Sequence, residues 1–221
     1  MSIHCEKLGR QDFRRIWDYQ RDLFDKRLRD EIPDTLLLVE HFPVYTIGKT
    51  GSEGNIVNES LLSGKNRIPV VHIDRGGDIT FHGPGQIVGY PVLKLDNYYR
   101  DVHRYLRDLE EVLILTLNDF GITGEREEGL TGVWVNGGKV AAIGVKVSRW
   151  VTMHGFALNV ATDLGYFHNI VPCGISDKKV TSVERIIGRK VVHDDVADSI
   201  VRHFNDVFVP VHNIMKKSEV A

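Results

Sequence analysis

Cysteine is scarce in this chain, with Cys5 and Cys173 the only two among 221 residues. A disulfide-stapled secreted scaffold needs several cysteines at regular spacings, so that class is excluded and a reduced, cytoplasmic setting is expected. Long hydrophobic runs are missing as well: nothing approaches the ~18 consecutive apolar residues of a membrane span. The opening MSIHCEKLGRQDFRR is too polar for a secretory leader, so no membrane association is expected. Neither charge sign dominates. Lys and Arg number 28 against 30 Asp and Glu, a net charge of -2, which argues against nucleic acid as the main partner. The ten histidines show no paired spacing with cysteine or carboxylate of the kind that marks a zinc site, and no metal is expected. What remains is an ordinary globular composition, 42% apolar and 26% charged, at a length that suits a single domain over 1–221.

Glycine is the residue with a pattern. RGGDITFHGPGQIVGYP, residues 75–91, holds five glycines in its first fifteen positions, with Arg75, Asp78 and His82 among them. Glycine weakens a strand, and inside one it marks a bulge, a bend or a close approach to the main chain. The stretch therefore reads as the wall of a site. Two phosphate-binding motifs almost fit nearby and both fail. Gly48-Lys49-Thr50 has the tail of a P-loop, but that motif needs glycine where Pro43 stands. In GPGQIVG the third glycine of a dinucleotide loop is displaced by Val88, and a strand rather than a helix follows.

Around this block the patterning predicts helices in QDFRRIWDYQRDLFDKRLRD, in YRDVHRYLRDLEEVLILTLNDF with Gly121 as its stop, and in DDVADSIVRHFNDVF. Strands are predicted in TLLLVEH, PVYTIG, IPVVHID, QIVGYPVLKL, LTGVWVN, KVAAIGVKVS and HGFALNVA. Pro43 separates the first two, and Asn136-Gly137 supplies a hairpin turn between LTGVWVN and KVAAIGVKVS. Helices interspersed with hairpin-like pairs predict an α/β class of the α+β type, a mixed sheet with packed helices.

Chemistry concentrates on Cys173 in VPCGISDKKVTSV. Pro172 and Gly174 predict a turn there, and a thiol needs a nearby cation or base to become the reactive thiolate. Lys139, after two glycines in NGGKVAAIGVKV, is a candidate cation, with a solvated strand end as the plain alternative. His82 is a rival base, with a structural or substrate-lining histidine as its alternative. Arg75 is read either as an anion holder or as a structural donor to neighbouring carbonyls. Asp78 is read as a turn residue or as the partner of Arg75, and His154 as part of the site floor. Cys5 is assigned no role.

Taken together, RGGDITFHGPGQIVGYPV, TGVWVNGGKVAAIGVKVSRWVTMHGFALNV and VPCGISDKKVTSV resemble the three signature blocks of lipoyl(octanoyl) transferases, in order. EHFPVYTIGK is similar to an earlier block of that family, so the resemblance spans about 35–188. It implies the catalytic fold of lipoate-protein ligases and biotin protein ligases. It implies transfer of an octanoyl group from acyl carrier protein to a lysine of lipoyl domains in 2-oxoacid dehydrogenase complexes and the glycine cleavage carrier. Cys173 matches the family's acyl-thioester nucleophile and Lys139 the lysine that lowers the thiol's pKa. Acyl contacts are implied for Arg75, Gly76, Gly77, Asp78, Ile79, Thr80, Phe81 and His82, for Ala142, Ile143 and Gly144, and for Gly155, Phe156 and Ala157. No cofactor is implied, because one thioester is exchanged for another without ATP.

On this reading the glycines let the main chain lie against a thin acyl tail, with Ile79, Phe81, Ile143 and Phe156 as apolar walls. The partners of the family are acidic, so Arg10, Arg14, Arg15 and Arg21, assigned to the first helix, and Lys178 and Lys179 are candidate docking residues beside the plain alternative of a solvated face. Three rival readings stay open: an ATP-dependent ligase, an amidotransferase between lipoyl domains, and a non-enzymatic carrier-binding scaffold.

Overall fold

In the computed structural model, which describes residues 3–58, 67–171 and 179–209, the chain opens with β1 (His4–Gln11), α1 (Phe13–Leu28), β2 (Thr35–His41) and β3 (Val44–Ile47). The glycine-rich half follows as β4 (Val70–His72), β5 (Ile79–His82) and β6 (Gln86–Val92). Then come α2 (Val102–Asp119), β7 (Gly132–Val135), β8 (Gly138–Ser148), β9 (Val151–Asn159), α3 (Val183–Ile187) and α4 (His193–Val207). Among the described residues the strands form a six-stranded sheet in the order β1-β2-β6-β9-β8-β7 and a three-stranded sheet in the order β4-β3-β5. In the large sheet β1 and β2 are parallel and the remaining neighbours antiparallel, so the sheet is mixed as predicted.

The period-2 alternation of a strand decides which helix each residue meets. Leu36 and Leu38 of β2 pack with Leu109, Leu113 and Phe204 of α2 and α4, while Leu37 and Val39 face Ile16, Leu23 and Phe24 of α1. The large sheet is thus buried on both faces, which is why TLLLVEH is apolar at consecutive positions rather than at every second one. The helices start where their caps direct them. Asp12 accepts from the Arg15 N–H and Asp101 from the Arg104 N–H, each satisfying a free donor of the first turn. The stop of α2 is as predicted: Gly121, after the cap Phe120, sits at φ +74.

Several expectations are sharpened. Asn136 and Gly137, at φ +49 and +74, make the predicted tight turn between β7 and β8. Pro43 does more than interrupt a strand, for beyond it the chain leaves the large sheet and β3 becomes the middle of the small one. IPVVHID yields only Val70–His72 as strand. Arg10 lies on β1 rather than on the first helix, because the cap at Asp12 starts that helix after it.

Pro91 sits in β6, an interior strand, where proline cannot donate to a neighbour. The adjacent strand accommodates it. The β6–β9 ladder runs only to Gly89 and Phe156, His154 takes φ +60, and the Thr152 hydroxyl donates to the Pro91 carbonyl at 2.7 Å. Gly155 fits there because it has no side chain: a Cβ would lie 2.2 Å from the Gly89 carbonyl oxygen and 2.6 Å from Pro91 Cδ. Gly155→Ala is therefore expected to cost roughly 1–3 kcal/mol through overpacking. At about 2–4 °C per kcal/mol for a chain of this size, the thermal midpoint should drop by several degrees. An unchanged midpoint by calorimetry would contradict the close contact.

Candidate active site

The glycine-rich block joins the two sheets. After β4, residues 73–78 turn over the end of β3 and onto β8: the Gly76 N–H donates to the Val145 carbonyl at 2.9 Å, and the Lys49 N–H to the Arg75 carbonyl at 3.0 Å. The close approach is one of backbone to backbone. A Cβ at Gly48 would lie 2.2 Å from the Gly77 oxygen, and one at Gly144 would lie 2.9 Å from the Gly76 oxygen. Farther along, Gly89 makes room for the ring of Phe156 and Gly85 for the Ala161 carbonyl. At these positions the glycines admit the protein's own chain.

The four residues expected as apolar walls fall in two clusters. Ile79 and Phe81, two apart on β5, point into a cluster with Tyr45, Ile47 and Tyr166, where Phe81 stacks on Tyr166 at 4.4 Å between ring centroids. Phe156 belongs instead to the cluster beneath α2 and α4, with Ile143 packed against it. The alternation of β5 is the reason, since it sends Ile79 and Phe81 to one face and Thr80 and His82 to the other. The other implied blocks do meet: Ala142, Ile143 and Gly144 on β8 are the register partners of Ala157, Phe156 and Gly155 on β9. Arg75 lies over Gly144, its Cδ 3.0 Å from where a Cβ of that glycine would be.

Arg75 is buried, and its guanidinium donates to Thr46 O (2.9 Å), Thr46 Oγ1 (3.0 Å) and Gly76 O (3.0 Å). These are the structural bonds to neighbouring carbonyls that its position suggested. Asp78 is a turn residue, accepting from the Ile79 N–H at 2.6 Å and from Asn55 Nδ2 at 2.7 Å. His82 is buried with both ring nitrogens engaged, Nδ1 at 2.8 Å from Gln86 Oε1 and Nε2 at 3.3 Å from Thr46 Oγ1. Burial pushes its pKa down to about 3. His41 is held in the same way, between the Gln11 carbonyl and the Tyr90 hydroxyl, and burial brings it down to about 4. Phe13 of α1 lies against both imidazoles.

His154 lies beneath α1. Its backbone N–H donates to Gln20 Oε1 at 3.2 Å, and its Nε2 lies 2.7 Å from Asp74 Oδ1. Burial lowers its pKa, while the hydrogen bond from His154 and the Lys146 ammonium hold the Asp74 carboxyl well below its usual range. Sequence reasoning missed Asp74, Lys146, Thr46, Gln86 and Asn159. Asp74 carried a weak signal as the neighbour of Arg75; the others carried none, because their partners are set by strand register.

Lys139 sits at a bulge. The β7–β8 register shifts between Val133 and Trp134, the irregularity that re-aims a side chain. Val133 and Val135 pack beneath α2 and α4, so Trp134 faces away from those helices, and the Lys139 ammonium lies over its ring, 4.9 Å from the centroid. Cys173 lies outside the described residues, as does Lys178. The chain on either side of 172–178 is anchored: the Val171 N–H donates to Asn55 O at 2.8 Å. On the far side Lys139 and Val180 form an isolated parallel bridge, through Lys139 N–H to Lys179 O (2.8 Å) and Thr181 N–H to Lys139 O (2.9 Å). Among the described residues no three His, Cys, Asp or Glu side chains gather as a metal site, and no helix is long and apolar enough to cross a membrane. Arg10, Arg14, Arg15, Arg21 and Lys179 are exposed; Arg10 pairs with Glu40 and Arg21 with Asp18.

A mixed sheet with helices on both faces and a small second sheet closing over a glycine loop defines the catalytic fold of the lipoate and biotin ligases. A lipoate-protein ligase A bound with ATP superposes with a TM-score of 0.75 at 16% identity, covering 94% of this chain and 85% of that one. A biotin protein ligase from Aquifex aeolicus, in complex with biotin and ATP, does so with a TM-score of 0.57 at 12% identity, covering 92% and 69%. Within that fold the chain belongs to the lipoyl protein ligase A/B catalytic domain family, whose model matches residues 12–205. An octanoyltransferase of Flavobacterium psychrophilum is 48% identical over 225 residues, covering 94% of this chain and 97% of the relative.

The buried histidines set a pH dependence. His82 and His41 have folded-state values below the ordinary 6.5, so the unfolded chain takes up their protons first as pH falls. Their contribution to stability is complete above about pH 6.5 and is lost below it, at about 1.4 kcal/mol per pH unit for each until the folded value is reached. The thermal midpoint should hold between pH 8 and 7 and fall steadily from 6.5 to 5, a window above ordinary carboxylate titration. A flat midpoint down to pH 5 would show that these rings are not held neutral.

Proposed function

We propose that this protein transfers an octanoyl group from octanoyl-acyl carrier protein to a lysine of lipoyl domains, through a thioester on Cys173. The observation that carries this reading is the 48% identity, over nearly the whole of both chains, to an octanoyltransferase. The matched Cys173 and Lys139 motifs support the mechanism, and so does the pairing of Lys139 with the segment that leaves the Cys173 stretch.

The chemistry proceeds in two steps. Cys173 thiolate attacks the carbonyl of the octanoyl thioester; the carbon–sulfur bond to the carrier breaks as a new one to Cys173 forms, and the carrier leaves as its thiol. One thioester replaces another, so no ATP is consumed. A lysine amine of the acceptor then attacks the acyl-enzyme, its proton is removed, and Cys173 departs as thiolate while an amide forms. The greater stability of amide over thioester drives this step. Lys139 as ammonium stabilises the thiolate and passes protons to the departing carrier thiol and from the incoming amine. Backbone N–H groups beside Cys173 or in the glycine loop receive the charge developing on the carbonyl oxygen. The acceptors are the lipoyl domains of 2-oxoacid dehydrogenase complexes and of the glycine cleavage carrier.

The reading is tested by intact-protein mass spectrometry after mixing with octanoyl-carrier protein without ATP. The expected result is a gain of one octanoyl group, absent in Cys173→Ala and discharged on addition of a lipoyl domain. No adduct, but acceptor modification once octanoate and ATP are supplied, would make the protein a ligase. Lys139→Ala should shift the alkylation profile of Cys173 to higher pH, because the thiolate loses its cation. An unchanged profile would remove Lys139 from that role.

A further inference from the structure

Gln86 and Asn159 face each other across the β6–β9 ladder, and both side chains are buried. Their hydrogen atoms are assigned from the far end. Asn159 reaches the Thr181 carbonyl at 3.1 Å, and a carbonyl only accepts, so Nδ2 faces it and Oδ1 faces Gln86. Gln86 therefore presents Nε2, which donates to Asn159 Oδ1 at 2.9 Å and to the Phe81 carbonyl at 3.1 Å. That leaves Gln86 Oε1 toward His82, so Nδ1 of the imidazole carries the proton and Nε2 accepts from the Thr46 hydroxyl. Thr46 Oγ1 in turn accepts from Arg75, whose guanidinium is always a donor. Every donor along this line points the same way, from Arg75 at one end to Thr181 at the other.

The two ends are the segments that matter to the proposed reaction. Arg75 belongs to the loop packed on Gly144, and Thr181 belongs to the segment paired with Lys139, eight residues after Cys173. We infer that Asn159, acting through Gln86, His82 and Thr46, is a positioning residue that fixes the Lys139 strand and segment 179–181 relative to the Arg75 loop, with His82 a neutral link rather than a base. The inference rests on the reading of the site given above. Burying four polar side chains between two sheets is costly unless all are satisfied, and a satisfied network specifies one arrangement where apolar packing tolerates several. Asn159 is the member whose loss removes the side-chain bond to the 179–181 end while leaving the Arg75 end bonded.

The test uses the full chain in a Cys5→Ser background, so that alkylation reports Cys173 alone. Asn159→Asp keeps size and the acceptor facing Gln86, but sets a carboxylate oxygen against the Thr181 carbonyl; Asn159→Ala removes both bonds. Three quantities are read for each: kcat and KM with octanoyl-carrier protein, the pH midpoint of Cys173 alkylation, and the thermal midpoint. The expected result is a fall in kcat of roughly tenfold to a hundredfold, as for a small displacement of reacting groups. KM for the donor should stay within about twofold and the alkylation midpoint should rise, on the same premise. A lowered thermal midpoint with kcat and alkylation unchanged would make Asn159 merely structural and overturn the inference. If the wild-type chain forms no acyl adduct, the transferase reading fails, while the alkylation midpoint still reports whether Asn159 acts on the thiol. Should both variants fail to fold, nitrogen-15 NMR of the wild-type imidazole decides: neutral His82 with the proton on Nδ1 from pH 8 to 5 supports the chain, and titration in that range or an Nε2–H tautomer overturns it.

Discussion

The contact of backbone with backbone where the Arg75 loop lies on β8 is the constraint on which the rest of the site depends. The Gly76 N–H to Val145 bond forms because Gly144 has no side chain to hold the loop away. Gly48 repeats the arrangement on the other side, so that the end of β3 and residues 75–78 share hydrogen bonds as if they were one sheet edge. A side chain at either position would separate the small sheet from the large one. Arg75 then uses this proximity: its methylene stem covers Gly144 while its guanidinium reaches back to Thr46 on β3. One residue thus contacts both sheets.

Closing the two sheets together has an electrostatic consequence. His41 and His82 end up where water does not reach, each with both nitrogens committed to fixed partners. Burial holds each ring neutral, against the hydrogen bonds to Gln11 and Gln86, which favour the protonated form. General-base catalysis requires the opposite, a ring with one free nitrogen and a pKa near the working pH. The geometry therefore favours the structural alternative for His82, and on the proposed reading leaves Lys139 as the group that handles protons.

Local signals in the sequence were read correctly because their causes are local. Gly121 ends the second helix and Asn136-Gly137 turns a hairpin, each through its own positive φ values. The glycine block was rightly singled out as a place of close approach, and at Gly85 and Gly89 the approaching group is the protein's own chain. Whether a ligand or another chain segment fills the space over a glycine depends on residues far away in sequence, such as Gly48 against Gly77 or Gly155 against Gly89. For a related reason, alternation says that Ile79 and Phe81 share a face but not which cluster that face joins. Gln86 and Asn159 were unreadable, since 73 positions separate them and only strand register pairs them. The family resemblance supplied Cys173 and Lys139, which composition and spacing alone left open.

The bulge at Lys139 carries the argument one step further. Gly132, at φ +140, faces the lysine stem, and a Cβ there would lie 3.1 Å from Lys139 Cε and 2.6 Å from the Ala141 carbonyl oxygen. An ordinary residue in that place would push the stem off the Trp134 ring. The attraction between an ammonium and an indole face is modest, ~0.5–1 kcal/mol near a surface, but it is directional and restricts where the flexible side chain rests. The same lysine is held by its backbone on both sides, through Lys179 and Thr181. Glycine at 132, tryptophan at 134 and segment 179–181 therefore act together on one half-buried cation. On the proposed reading they hold Lys139 in place while Cys173, six residues before Lys179, changes between thiolate and thioester. A lysine already oriented before the donor arrives loses less freedom in the transition state, which is the form of preorganisation most effective against developing charge.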